Sequence, residues 1–354
     1  MKIVAPHYAD SIDTLQAQLI PALRHYSSIF VLTDTEVREY CYPLLQHHLP
    51  PHHGIEMDSG ESQKSLDNCV FIWETLSRAA ADRHAVLINL GGGMVGDIGG
   101  FAASTYKRGI DFIHIPTTLL AMVDASIGGK TGIDFGGNKN QIGTFSMPKA
   151  IFSCTAFLET LPPREWRAGF AEMLKHFLLA DEAGYRRMVA TDTATLQQVS
   201  LEDIQHAAAI KLSIVSRDPQ EKNIRKSLNL GHTLGHAIES ALLEDAQDIL
   251  HGEAVALGLM AAAFLSWRTG RLPAQDYQQL ARFILGLYGF EWDLEPYTER
   301  IITYLKNDKK NRNGQIRFVL LKGIGQVELD VTVGEAQAIA AVQELSQQIK
   351  NYGG

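Results

Sequence analysis

The feature that most constrains this chain is the turn Gly91-Gly-Gly-Met-Val-Gly96. It follows the apolar run 85–90, which reads as a buried strand, and it opens a helical run that includes Phe101. Glycines in the G-x-G-x-x-G arrangement let the backbone approach a pyrophosphate, and the helix N-terminus faces its charge. Other strands flank this unit. Residues 28–33 form a buried run with Asp34 at its carboxyl end, helical patterns follow over 36–45 and 69–81, and 112–115 make a further strand ended by Pro116. Strand–helix alternation of this kind predicts a parallel sheet covered by helices, a Rossmann-like α/β domain. Asp34 is placed either to accept from an adenosine ribose hydroxyl or to cap the helix after it.

Beyond residue 160 the pattern changes. Pro162 and Pro163 punctuate the chain, and long helical runs follow at 169–180, 201–216, 231–243, 252–269 and 274–288. A short strand pair at 316–321 and 326–331 and a last helix over 333–349 close the sequence. The expected division is residues 1–160 as an α/β domain and 161–354 as a mainly α-helical domain.

The chemistry concentrates in Leu228-Asn-Leu-Gly-His-Thr-Leu-Gly-His236. His232 and His236 are four residues apart and so share one helix face, with Glu239 a turn further on and His251-Gly-Glu253 beyond. Three imidazoles in this pattern suggest a metal site of the zinc type, while hydrogen-bonded helix histidines are the plainer alternative. A peptidase of the His-Glu-x-x-His kind is excluded, because Thr233 stands where the catalytic glutamate belongs. Glu172, Lys175 and His176 also share a helix face, as a salt bridge or as a carboxylate ligand beside an anion-binding lysine.

Residues 117–145 are rich in glycine and polar side chains, including Asp124-Ala-Ser-Ile-Gly-Gly-Lys130 and Asn138-Lys139-Asn140, and read as a long irregular segment that serves function. Lys130 and Lys139 there either meet an anion or stay solvated. The chain as a whole carries a formal net charge of −8, which argues against a general nucleic-acid binder. Cations gathered round a metal in such a chain favour a small anionic substrate. Three widely spaced cysteines indicate neither a disulfide framework nor a cysteine zinc cluster. The first residues have no apolar core of the leader type and no run is long enough to span a bilayer, so a cytoplasmic location without membrane or nucleic-acid partners is expected.

Taken together the motifs resemble the 3-dehydroquinate synthases of the sugar-phosphate cyclase superfamily. The resemblance spans most of the chain and rests on the glycine turn through Asp97, Arg108-Gly109, Pro116-Thr-Thr-Leu-Leu120, the 124–132 stretch, Lys139-Asn140, Glu172-Met-Leu-Lys175, the His232/His236 segment and His251-Gly-Glu253. It implies zinc, or cobalt, on Glu172, His232 and His251, which turns His236 from a ligand into a proton-handling residue. NAD+ contacts are implied for Asp34, Glu61, Lys64, Gly92, Gly93, Met94, Asp97, Thr117, Thr118, Lys139, Phe157 and Thr160. Substrate and proton-transfer roles are implied for Arg108, Asp124, Lys130, Asn140, Lys175, Lys211, Glu221, Arg225, Asn229 and His236, with Lys309 or Lys310. The implied reaction turns 3-deoxy-D-arabino-heptulosonate 7-phosphate into 3-dehydroquinate and phosphate, on the shikimate route to chorismate and the aromatic amino acids, with NAD+ used catalytically by a homodimer. Another sugar-phosphate cyclase is the near alternative, and a metal-dependent polyol dehydrogenase the more distant one.

Overall fold

The computed structural model describes residues 3–136, 138–191, 199–307 and 316–353. Lys309 and Lys310 lie outside the described residues. By its internal contacts the chain splits into two compact units, residues 1–162 with 200–220, and residues 163–199 with 221–354.

The first unit is built on β1 (Pro6–Ala9), β2 (Ile29–Asp34), β3 (His53–Met57), β4 (Val86–Gly91), β5 (Asp111–Pro116) and β8 (Ala150–Cys154), with α1 (Ile12–Leu23), α2 (Thr35–Tyr40), α3 (Tyr42–Leu45), α4 (Leu66–Arg78) and α5 (Gly93–Thr105). The strands form one parallel sheet in the order β1-β8-β5-β4-β2-β3. Every residue of β4 is buried and every residue of β2 but Asp34, as expected of parallel strands covered on both faces. The chain leaves β2 toward β3 on one side and leaves β4 toward β5 on the other. Neighbouring strands β2 and β4 (Leu32 opposite Asn89) thus diverge at their carboxyl ends, which is the topological switch point where open α/β sheets bind ligands.

Two expectations need correction here. The run 36–45 is not one helix, because Pro43 lacks the N–H for an internal bond; α2 stops at Tyr40 and α3 restarts at Tyr42. Residues 117–145 are not irregular. They contain a helical turn (Ala121–Ala125) and an antiparallel hairpin of β6 (Lys130–Phe135) and β7 (Asn138–Phe145). Its glycines allow close packing: a Cβ on Gly132 would lie 2.7 Å from the Ile142 carbonyl oxygen, and one on Gly100 of α5 would lie 2.5 Å from Thr131 Cγ2.

The second unit contains α6 (Pro163–Ala180), α7 (Glu182–Ala190), α9 (His232–Glu244), α10 (His251–Arg268), α11 (Ala274–Tyr288), α12 (Thr298–Asn307), the antiparallel pair β9 (Ile316–Gly323) and β10 (Gln326–Val333), and α13 (Glu335–Gly353). The intervening α8 (Leu201–Arg217) belongs by its contacts to the first unit, although a division at 160/161 assigns it to the second. Its Ala208 packs with Ile127 and Ile151, and its Lys211 bonds to Asp124. Helical periodicity cannot tell which neighbour a helix will choose.

Helix α10 is the centre of the second unit. Residues 252–266 are all buried, and the helix packs against α6, α9, α11, α13 and β9. The approach of α9 to α10 is set by glycine. A Cβ on Gly258 would collide with the backbone of Gly231, and one on Gly235 would lie 2.6 Å from the Ala254 carbonyl oxygen. Backbone cannot yield as a side chain can. Gly258→Ala should therefore cost about 3 kcal/mol or more by overpacking. A thermal melt of the variant that matches the unsubstituted protein would show that the helices separate freely.

Candidate functional site

In the first unit the glycine turn lies at the carboxyl end of β4, and α5 starts from it. Thr117 donates its N–H to the Gly91 carbonyl at 3.0 Å, and the Thr118 hydroxyl accepts from the Ala121 N–H at 3.1 Å. These bonds seat Thr117 and Thr118 against the turn. A Cβ on Gly92 would fall 3.2 Å from Thr118 Cγ2, and one on Gly93 3.2 Å from Ala125 Cβ. A narrow glycine cradle at a helix N-terminus is the fit required by a pyrophosphate. Met94 is partly buried against the apolar core beneath.

Around this turn the structure gathers Glu61, Lys64 and Asp97. The buried Lys64 ammonium lies 2.6 Å from Asp97 Oδ2 and 3.5 Å from Glu61 Oε1. Burial opposes its charge, but Asp97 and Glu61 outweigh burial and raise its pKa. Burial pushes Asp97 up, against the pull of Lys64. Asp34 accepts from the Val37 N–H at 2.8 Å, so it caps α2, and burial raises its pKa as well. Phe157 is buried, and the Thr160 hydroxyl lies 3.9 Å from Cys41 Sγ.

Lys211 donates to both the carbonyl oxygen of Asp124, at 2.7 Å, and its Oδ2, at 2.8 Å. Lys130, Lys139 and Asn140 are exposed on the hairpin, where Asn140 takes φ +51° and donates its N–H to Asp134 Oδ1 at 2.6 Å. Arg108 is exposed in the turn after α5, with φ +68°.

The second unit assembles the metal-type donors. Glu172 on α6 is 1% exposed, with Oε1 3.3 Å from His232 Nε2 on α9 and 3.6 Å from His251 Nε2 on α10. The rings of His232, His236 and His251 stand 5.0–5.6 Å apart, and their ligand atoms lie within 4.8 Å of one another. His232 is fixed by its other nitrogen, with Nδ1 3.1 Å from the Leu230 carbonyl oxygen. Lys175, equally buried, is ion-paired with Glu172. Burial opposes charge on Glu172, but Lys175 and His232 hold its carboxyl well below the usual range. Burial and then Lys175 depress His232, whereas His251 is raised to about 10, Glu172 and Glu239 outweighing burial. One carboxylate and two anchored imidazoles on three helices fit a divalent ion of the zinc type.

Nearby, Asn229 donates to Glu221 Oε1 at 2.9 Å, Glu221 takes φ +57°, and Arg225 is buried on the turn between them. Sequence reasoning missed Arg164, whose Nε and an Nη donate to the two oxygens of Glu253 at 2.7 and 2.8 Å. Glu253 Oε2 also accepts from the Leu250 N–H and so caps the start of α10, where His251 sits. A glutamate two residues after His251 was the available signal.

Solved structures share this architecture. A 2-epi-5-epi-valiolone synthase from Streptomyces hygroscopicus, with NAD+ and Zn2+ bound, superposes with TM-score 0.85 at 26% identity over 98% of each chain. A 2-deoxy-scyllo-inosose synthase complexed with carbaglucose-6-phosphate, NAD+ and Co2+ gives TM-score 0.82 at 25% identity, over 97% of this chain and 99% of that one. Fold and donor set thus define a cyclase-type protein, with an α/β unit carrying the glycine turn and a helical unit carrying the carboxylate–imidazole cluster.

The models for the N-terminal and C-terminal parts of 3-dehydroquinate synthase match residues 54–168 and 169–311. The 3-dehydroquinate synthase of Parabacteroides distasonis is 38% identical over 322 residues, which is 90% of this chain and 91% of that protein. The chain belongs to the 3-dehydroquinate synthase family.

A pocket beneath the glycine turn is lined by Asn89, His114 and Ser126. Burial pushes the His114 imidazole down from 6.5 to about 4, so the folded protein keeps it neutral where the unfolded chain would bind a proton. That stability is fully present above pH 6.5 and is lost as pH falls toward 4, in all about 3 kcal/mol. A His114→Gln variant should show a shallower fall in stability across this window by chemical denaturation. An unchanged slope would contradict the assignment.

Proposed function

We propose that this chain converts 3-deoxy-D-arabino-heptulosonate 7-phosphate to 3-dehydroquinate and phosphate, using catalytic NAD+ and a divalent metal, zinc or cobalt. The observation that carries the proposal is the buried Glu172 oxygen facing the Nε2 atoms of His232 and His251, within a chain 38% identical to a 3-dehydroquinate synthase. When bound, NAD+ supplies reversible oxidation of a substrate alcohol, and the metal supplies Lewis acidity at the oxygen concerned.

The chain's own groups do the rest. The Gly92–Gly93 turn and the α5 N-terminus hold the pyrophosphate of the dinucleotide, Asp34, besides capping α2, serves its ribose, and the Glu61–Lys64–Asp97 cluster, with Thr117, Thr118, Lys139, Phe157 and Thr160, orients it. Glu172, His232 and His251 hold the metal. Lys175 and Arg225 are buried cations suited to the phosphate and carboxylate of the substrate, and Lys130, Lys211, Arg108 and Asn140 belong to the same substrate-binding set, with Lys309 or Lys310. His236 and the Glu221–Asn229 pair handle protons as phosphate leaves. Holding a departing phosphate against fixed cations lowers the barrier by positioning and by charge. The same reading includes a homodimer and a cytoplasmic location. No helix among the described residues is long and apolar enough to cross a membrane.

Because NAD+ is regenerated within each cycle, phosphate should accumulate over many turnovers while free NADH absorbance stays flat. One NADH released per product, without phosphate, would instead identify a polyol dehydrogenase. Chelation should stop turnover, and His251→Ala should lose its metal while keeping its fold. Full metal content in that variant, measured by atomic emission, would remove His251 from the ligand set.

A further inference from the structure

Glu239 has no part in the reading above, yet it is only 4% exposed on α9 and its Oε2 lies 3.4 Å from Nδ1 of His251 on α10. The other nitrogen of that ring faces Glu172 Oε1 at 3.6 Å. An imidazole that binds a metal is neutral, with one N–H and one lone pair, so the acceptor met by one nitrogen decides which nitrogen can bind the metal. His232 obeys the same rule with a backbone acceptor, since its Nδ1 meets the Leu230 carbonyl, two residues away, while its Nε2 faces Glu172.

The two histidines differ in what holds them. His232 is anchored by its own chain, and its side chain is 12% exposed. His251 is the first residue of α10, its side chain is 36% exposed, and its acceptor comes from another helix. The more exposed ring is therefore tethered across the α9–α10 contact. A carboxylate acceptor also makes the imidazole a stronger donor than a carbonyl does.

We propose that Glu239 is a positioning residue for the metal site: its carboxylate accepts from Nδ1–H of His251, fixes the tautomer and ring plane, and presents Nε2 to the ion. This rests on Glu172, His232 and His251 being the ligand set. The test uses the full-length protein stripped of metal and reloaded, with zinc affinity measured by competition against a chromogenic chelator. Glu239→Leu should weaken zinc binding about 10- to 100-fold and alter the visible spectrum of the Co2+-loaded protein. Glu239→Gln, whose carbonyl can still accept from Nδ1–H, should recover most of the affinity and the spectrum.

His251→Ala separates the two levels of the argument. If it loses metal while Glu239→Leu keeps unaltered affinity and spectrum, the positioning role is overturned and the ligand set stands. If His251→Ala keeps its metal, the ligand set itself fails. Should Glu239→Leu not fold, nitrogen-15 histidine spectra of the zinc-loaded unsubstituted protein decide the matter. Nδ1 protonated and Nε2 bound to zinc on His251 is the expected result, and zinc on Nδ1 would overturn the proposal.

Discussion

The second unit depends on how closely α9 and α10 approach. Gly231, Gly235 and Gly258 remove the side chains that would hold the helix backbones apart. The consequence is chemical as well as structural. His232, His236 and Glu239 ride on α9 and His251 on α10, so the helix separation sets the distances from His251 to two imidazoles and to the Glu239 carboxylate. A few tenths of an ångström matter little to a hydrophobic contact but much to a coordination sphere, whose bond lengths vary by only about 0.2 Å. Small residues therefore occupy the helix contact, and the larger polar ones sit where α6 brings Glu172 to meet them.

Buried charges are paired in both units. Lys64 meets Asp97 and Glu61, Lys211 meets Asp124, Lys175 meets Glu172, and Glu253 meets Arg164. Removing one member of such a pair leaves the other uncompensated in a poor solvent for charge, so pairs of this kind are costly to build and weak devices for stability alone. Cations and carboxylates held in position are instead what a multiply charged substrate and a dinucleotide require. The glycine cradle at the switch point follows the same economy: backbone N–H groups at a helix N-terminus can meet phosphate without a side chain that would first need desolvating.

Much of this was legible in the residues. Mainly apolar runs, broken only by Asn89 in β4 and His114 in β5, marked β2, β4 and β5, because strands buried on both faces need no polar alternation. The glycine turn was identifiable because it sits between such a strand and a helical run. The i, i+4 spacing of His232 and His236 placed both on one face of α9. The hairpin β6–β7 was not legible: Gly132 and Gly143, read as irregular chain, are there because the two hairpin backbones come too close for side chains. Strand β3, with two of its five residues buried, carries little apolar signal of its own.

By itself the sequence determined the local periodicities, the glycine turn, the two-part division of character near Pro162 and the inventory of donors, since each depends on residues near one another along the chain. Which donors meet was decided by tertiary structure alone. His251 is 79 residues from Glu172 and 12 from Glu239, and only the packing of α10 between α6 and α9 brings all three together. The same holds for α8, whose helical pattern was plain but whose choice of the α/β unit rests on Ala208 and Lys211 finding Ile151 and Asp124. Periodicity states which face of a helix is apolar. It does not state which distant surface will cover that face, because the free energy of covering it depends on shape and charge that the rest of the chain supplies.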